Sequence, residues 1–462
     1  MADTYKLQKE APPSDAQATA DVSTKLGRLV SLDAYRGFIM MMLAASGFGI
    51  YRFAQLPADA PVWETWDHEF WERLAFHFEH PAWESKFGLM GVSCWDLIQP
   101  AFMFMVGVAM PFSYARREKL GESGLRRLGH AVRRAMVLVL LGVFLYSMGH
   151  ERTNWIFPNV LAQIGLGYVF AYLVLGRRQW IQWTALVGIL VGYWLYFDQY
   201  SPPPEYDFAA VNASVENGEV YEGRVAPWSK NGNAGHTFDV WFLNLLRNPT
   251  DEQLASAGAK ADSESWAPNF LRKWLFDHPS PYRFNGGGYL TLNFVPSIAT
   301  TILGILCGQL LIRRRKSWKT AGILVGMGAG CMLAGLLAGE FAVPIIKRIW
   351  TPSWVLFSGA YVIWMLAAFY VVFDILPLQK LAFPLVVVGM NSIAMYLMGQ
   401  LIAGWTDENV VSIHLTGVLQ TLFGEHALDD DMYGRLVMPS ARFAVFWLIA
   451  WWMYRQRYFI RI

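Results

Sequence analysis

Apolar runs of about 20 residues recur along this chain, and short blocks between them hold most of its charges. No other feature limits its possible folds as much. A helix of that length crosses a hydrocarbon core of about 30 Å. Inside lipid a helix also supplies every backbone group with a partner from its own segment. Composition agrees: 16% of the residues are charged and 54% are hydrophobic, whereas soluble domains carry about 25% charged residues. The expectation is an all-α polytopic membrane bundle of about ten transmembrane helices. They fall near residues 34–54, 93–115, 133–149, 158–175, 179–197, 289–311, 320–341, 353–373, 382–403 and 440–455.

Lysine and arginine set the expected orientation. One set of connections holds Arg116, Arg117, Lys119, Arg126, Arg127, Arg133 and Arg134, then Arg177 and Arg178, then Arg313 to Lys316 with Lys319. Arg455, Arg457 and Arg461 follow the last run. These connections alternate with the others, which places both termini in the cytoplasm. On the opposite side, residues 55–92 carry aromatics at near-helical spacing and read as a helix lying on the interface. Residues 198–288 are too long for a turn and read as a non-cytoplasmic cap over the mouth. Residues 404–438 form a third outer loop. Residues 1–27 are polar, lack an apolar signal segment and read as a disordered cytoplasmic tail. The remaining domain is 28–462. Cys94, Cys307 and Cys331 lie in apolar runs, so neither a disulfide framework nor a zinc spacing is implied.

Ionisable groups near membrane depth are expensive and therefore informative. Asp33 and Arg36, in "SLDAYRG", can pair at i, i+3 at the inner end of the first run. That also suits plain anchoring of a helix start. Asp96 opens the second run in "SCWDLIQP". It either satisfies a helix N-terminus, worth about 0.3–1 kcal/mol, or orients a histidine as an acid partner. The histidine at hand is His80, in "FHFEHPAW" ahead of Trp83. A lone interfacial histidine is ordinarily an amphipathic side chain at a boundary. His68 and His77 are out of helical register with each other, which argues against a metal pair. Asn293, Ser297, Asn391, Ser392 and Gln400 are polar groups in apolar runs. They read as helix–helix hydrogen bonds or as the lining of a cavity. No phosphate-binding or dinucleotide loop is present.

Five blocks in order bring a resemblance: "RLVSLDAYRGFIMMM", "HPAW" with "WDLIQPAFMFMVGVAMPFS", "GGGYLTLNFVPSIATTILG", "KRIWTPSWVLFSGAYVIWMLAAFYVVFD" and "VGMNSIAMYLMG". Together they resemble the heparan-alpha-glucosaminide N-acetyltransferase family, more particularly its bacterial branch. The family's H-x-x-W histidine falls on His80, with Trp83 beside it, and the following aspartate falls on Asp96. Its S-[LV]-D-x-x-R-G block falls on Asp33 and Arg36, and its M-N-S block on Asn391 and Ser392. A family asparagine near the end of the first span is Gly47 here, and "LQR" reads "LAQ", ending at Gln163.

The resemblance implies an enzyme that moves an acetyl group from cytosolic acetyl-CoA to an amino sugar or related glycan on the far side. No metal and no nucleic acid enter that reading; membrane lipid surrounds it, and a homodimer is compatible with it. In a bacterium such a protein would sit in the inner membrane. On this basis His80 is the acid/base and Asp96 its orienter. Asp33, Arg36, Asn391 and Ser392 are candidates for the donor, and Trp83 and Asn293 for the acceptor. Direct transfer in a ternary complex comes first, with an acetyl-imidazole as its variant. The competing readings are an O-acetyltransferase of envelope polysaccharide and a transporter of an acylated sugar or lipid. The paired broken half-repeats common in transporters are not apparent in the sequence. If Arg36 helps to hold the donor, Arg36→Ala weakens CoA binding more than it slows turnover; an unchanged calorimetric Kd removes Arg36 from the site.

Overall fold

The computed structural model describes residues 29–80, 82–249, 252, 269–314, 316–376 and 378–460; the tail expected to be disordered lies outside them. Among the described residues the regular elements are all helical. The first span is α1 (Val30–Ala44) with α2 (Ile50–Ala54), bent by 48°. A connecting segment follows with α3 (His68–Ala75). Then come α4 (Cys94–Lys119), α5 (Gly124–Ser147), α6 (Val160–Val174) and α7 (Gln179–Asp198). The cap contributes α8 (Ala234–Leu245) and α9 (Asn269–Trp274). The chain re-enters the bundle as α10 (Phe294–Arg313), α11 (Trp318–Phe341) and α12 (Pro352–Tyr370). A second bent pair, α13 (Phe383–Met390) and α14 (Ser392–Leu401), turns by 64°. α15 (Ala403–Thr406), α16 (Thr416–Phe423) and α17 (Gly434–Arg455) complete the order.

Seven of these helices are long and apolar enough to cross a membrane, and nine spans result if each bent pair is one. The one remaining expected span, the fourth, is α6, at 15 residues short for a crossing. Several spans begin at residues suited to capping. The side chains of Ser93, Ser123, Asn159, Ser317 and Thr351 each accept a backbone N–H in the first turn that follows. Other boundaries move. The third span starts at Gly124, so Arg126, Arg127, Arg133 and Arg134 are helical rather than parts of a loop. The interfacial helix is only the eight residues of α3, followed by a tight turn at Phe76–Phe78. Residues 404–438 are largely helical, with a π-helical stretch Asp407–Leu415 whose Asp407 pairs with Arg442 of α17.

α4 and α10 form the centre: 67% and 78% of their apolar stretches are buried, compared with 22% for α5 and 28% for α17. The outer helices turn Leu140, Phe144, Val187, Leu333 and Leu448 outwards, which in lipid is the apolar side. The two central helices touch backbone to backbone. A Cβ on Gly107 would lie 2.0 Å from the Thr301 carbonyl oxygen, and one on Gly304 would lie 2.1 Å from that of Phe104. Small residues are the usual means of close approach where no hydrophobic drive exists between helices. Gly304→Val therefore forces the central pair apart, with an overpacking cost of about 1–3 kcal/mol or more. The expected result is a lower melting temperature in detergent; an unchanged one would refute the close crossing.

Candidate active site

The site is built at the end of the bundle where α4 begins. Ser93 caps α4: its Oγ accepts from Asp96 N at 3.0 Å and donates to the Glu79 carbonyl at 2.8 Å. One hydroxyl thus fixes both the helix start and the loop that carries His80. His80 Nδ1 lies 2.6 Å from Asp96 Oδ1. The same oxygen accepts from Lys347 Nζ at 2.8 Å, and that nitrogen is 3.1 Å from His80 Nδ1. Asp96 and Lys347 are each only 6% exposed at the side chain, while His80 is 41% exposed. Burying such a pair is tolerable because each charge has its partner.

The 2.6 Å contact assigns the tautomer. Two bare acceptors would repel at that distance, so Nδ1 carries the proton and donates to Asp96. The approach of Lys347 to the same ring nitrogen is then a contact between two donors, not a hydrogen bond. In the neutral ring, Nε2 is then the nitrogen that keeps a lone pair.

A cavity of about 420 Å³ opens beside this cluster. His80 and Lys347 line it, with Trp95, Gln99 and Phe102 of α4, Tyr146 of α5, Asn159, Asn285, Tyr289, and Tyr396 and Gln400 of α14. Aromatic faces and neutral hydrogen-bonding groups thus dominate the wall, the usual make-up of a small-molecule site. Asn159 donates to the Tyr396 hydroxyl at 3.3 Å, joining two elements of that wall. Among the described residues no group of three His, Cys, Asp or Glu side chains is arranged to hold a metal ion.

Of the residues singled out in the sequence, the structure brings His80 and Asp96 together. Trp83 and Asn293 stand behind the wall rather than in it. Trp83 is buried, donates to the Trp228 carbonyl at 3.4 Å and packs on Gly288. Gly288 has φ +76°, and a Cβ there would meet the Trp83 ring at 2.8 Å, so glycine is needed on both counts. Asn293 donates to the Arg348 carbonyl at 2.7 Å, bracing the turn that bears Lys347. Asp33 and Arg36 lie 3.9 Å apart near the other end of α1. Arg36 precedes the cavity-lining Leu43 by about 10 Å of helix. Asn391 holds the chain end, donating to the Tyr458 carbonyl and accepting from Ile460 N, both at 3.1 Å. Ser392 starts α14 beside that break. Gln163 donates to the Phe157, Leu290 and Thr291 carbonyls, anchoring loops rather than lining the cavity. His77 approaches Cys94 Sγ at 3.9 Å and is not among the cavity residues.

Lys347 is the residue that sequence reasoning passed over. A lysine in "VPIIKRIW", between two apolar helices, is an ionisable group near membrane depth and carried that signal. Its turn is closely held: Ile345 O accepts from Ser85 N at 2.8 Å, and Thr351 Oγ1 accepts from Ile346 N at 3.0 Å.

Fold and site define a class: a multi-pass membrane helix bundle in which a buried aspartate–lysine pair holds a half-exposed histidine at the wall of a cavity. No family model matches the chain. Two curated proteins do: it is 23% identical over 422 residues to the human heparan-alpha-glucosaminide N-acetyltransferase, covering 82% of this chain and 54% of that protein. To the mouse heparan-alpha-glucosaminide N-acetyltransferase it is 22% identical over 409 residues, covering 80% and 53%. The chain spans about half the length of the curated relatives it matches. The chain is thus similar to heparan-alpha-glucosaminide N-acetyltransferases along most of its own length.

The cap contains a second buried carboxyl. Asp239 of α8 is 1% exposed, and its Oδ2 accepts from Thr291 N at 2.9 Å, where the chain enters α10. Burial pushes this carboxyl up to about 7, against the pull of its bonds from Thr291. A raised carboxyl pKa stabilises the fold fully below the unfolded value near 3.8, and the benefit is lost as pH rises through about 7. His236 has the opposite sign, lowered by burial to about 4, so the comparison must be made between proteins that differ only at Asp239. Asp239→Asn stays neutral, so its melting temperature relative to the wild type should climb between pH 3.8 and pH 7. A difference independent of pH would show that the carboxyl is not held protonated.

Proposed function

We propose that this chain is a membrane acetyltransferase that moves an acetyl group from acetyl-CoA to the amino group of a sugar or related glycan across the bilayer. The observation that carries the reading is the His80–Asp96 contact at 2.6 Å, on a ring that lines the cavity. The contact fixes the tautomer of the neutral imidazole, which leaves Nε2 with the lone pair that a general base requires. The similarity to the two N-acetyltransferases supports the reaction type. His80 Nε2 takes a proton from the acceptor nitrogen as that nitrogen attacks the thioester carbonyl carbon. The carbon–sulfur bond breaks, and the same proton passes from Nε2 to the departing thiolate. Asp96 holds the ring and offsets its charge while the proton resides there.

The two ends of the bundle support a donor on one side and an acceptor on the other. Arg116, Arg117, Lys119, Arg313, Arg314, Lys316, Lys319, Arg455 and Arg457 gather where α4, α10 and α17 end and α11 begins. The cavity lies where α4 begins, at the opposite end. The positive-inside rule makes the basic end cytoplasmic, with both termini there, in the inner membrane if the protein is bacterial. Donor phosphates would meet cations at that end, with Arg36, Asp33, Asn391 and Ser392 along the way to the cavity. On this reading the described parts of residues 198–288 are the outer cap of the transmembrane domain, and the acceptor enters beneath it.

Loss of a general base costs about 10²–10⁴-fold in rate. His80→Ala should fold, bind CoA and transfer acetyl at that reduced rate in single-turnover assays with amino sugars. His77→Ala should keep most of its activity. Asp96→Asn is harsher than a simple loss of orientation, because it leaves the buried Lys347 ammonium unpaired. Such uncompensated charges cost about 3–5 kcal/mol, so this variant should lose melting temperature as well as rate. A His80→Ala protein that transfers at the wild-type rate sinks the mechanism.

A further inference from the structure

We propose that Lys347 is a second catalytic group, whose ammonium donates to the thioester oxygen as that oxygen becomes an oxyanion. The inference rests on the acetyl-transfer reading above and adds a role to a residue outside the His80–Asp96 pair. An ammonium has three N–H donors and no acceptor. One is used by Asp96 Oδ1 at 2.8 Å, and His80 Nδ1, 3.1 Å away, can take none because it is itself protonated. Lys347 lines the cavity, and no carboxylate is among the residues that line it with Lys347. The ammonium therefore has donors to spare at the wall where the substrates meet.

Charge bookkeeping points the same way. With Lys347 as an ammonium, Asp96 as a carboxylate and His80 as the neutral base that the reaction requires, the cluster starts with no net charge. When the acceptor nitrogen attacks, its proton moves to His80 Nε2, and the carbonyl π pair moves to oxygen. The cluster gains one positive charge and the intermediate gains one negative charge, so the site remains neutral throughout. Without Lys347, the carboxylate and the oxyanion would share a single imidazolium in a poorly solvated cavity. The turn from Val343 to Thr351 also holds the lysine before reaction, so its dipole needs no reorganisation when charge develops.

Loss of one preorganised oxyanion donor typically costs about 10²–10³-fold in rate. Lys347→Ala should therefore bind CoA within about 2-fold of the wild type by calorimetry but show a single-turnover rate lower by about that factor. Ethylammonium, which restores the missing N–H donors in the vacated space, should raise the rate of this variant at least tenfold, whereas tetramethylammonium should not. Should Lys347→Ala fail to fold, Lys347→Arg keeps the charge and the Asp96 pair. It should fold and bind CoA yet run at least tenfold slowly, because a planar fork presents its donors in another direction. Wild-type rate in either folded variant overturns the proposal. So does a loss of rate that follows loss of CoA binding, or equal rescue by both cations. His80→Ala separates the two readings: if it is inactive while Lys347→Ala is not, only the role of Lys347 falls. If His80→Ala is fully active, acetyl transfer through His80 falls first.

Discussion

Three parts of the chain meet at one carboxylate. Asp96 belongs to the first turn of α4, His80 to the loop before it, and Lys347 to the turn between α11 and α12, and a single oxygen of Asp96 accepts from both partners. In a low-dielectric setting neither the buried carboxylate nor the buried ammonium is stable alone. A bare carboxylate or ammonium there would carry a penalty of several kcal/mol. Their convergence therefore closes the end of the bundle where α4 begins, as well as shaping the cavity. Ser93 and Ser85 reinforce it through backbone contacts to either side. Asn293 does the same from α10's start.

The same economy of buried polar groups explains the breaks in the helices. Where α1 gives way to α2, Ser46, Gly47, Phe48 and Gly49 all take positive φ. A left-handed stretch costs about 1–2 kcal/mol for each non-glycine residue. Arg442 reaches this turn and donates to Ser46 Oγ at 3.1 Å, while pairing with Asp407. At the second break, Asn391 satisfies both a carbonyl and an N–H of the chain end. Residues near each break line the cavity: Leu43 just before the first, and Tyr396 and Gln400 after the second.

The cap is coupled to the cavity wall through buried contacts. Lys230 and Glu219 pair at 2.8 Å, and Arg348, next in chain to Lys347, lies 4.0 Å from the same Glu219 oxygen. Arg348 also sits over the Trp83 ring at 5.9 Å. Trp228 stacks on Phe197 of α7 at 4.9 Å, and Trp83 bonds to the Trp228 carbonyl. The tryptophan after His80 is thus a structural strut joining cap, lysine turn and glycine turn. That is why it follows the histidine so closely without entering the cavity.

What the sequence determined by itself was whatever depends on neighbours along the chain. Run length and charge blocks located the spans, because a helix in lipid satisfies its backbone locally. His80, Asp96 and Trp83 stood out through motif and resemblance, yet their spacing could not say which of His68, His77 and His80 meets the carboxylate. That choice was made by a turn at Phe76–Phe78 and by one bond from Ser93 to Glu79, a contact across 14 residues. Lys347 was decided wholly by tertiary structure. It is 251 residues from Asp96 in sequence, and no local pattern pairs two charges so far apart. Only the packing of α4 and α10 at their glycines, with the turn after α11 drawn over them, puts ammonium, imidazole and carboxylate within one hydrogen-bond length.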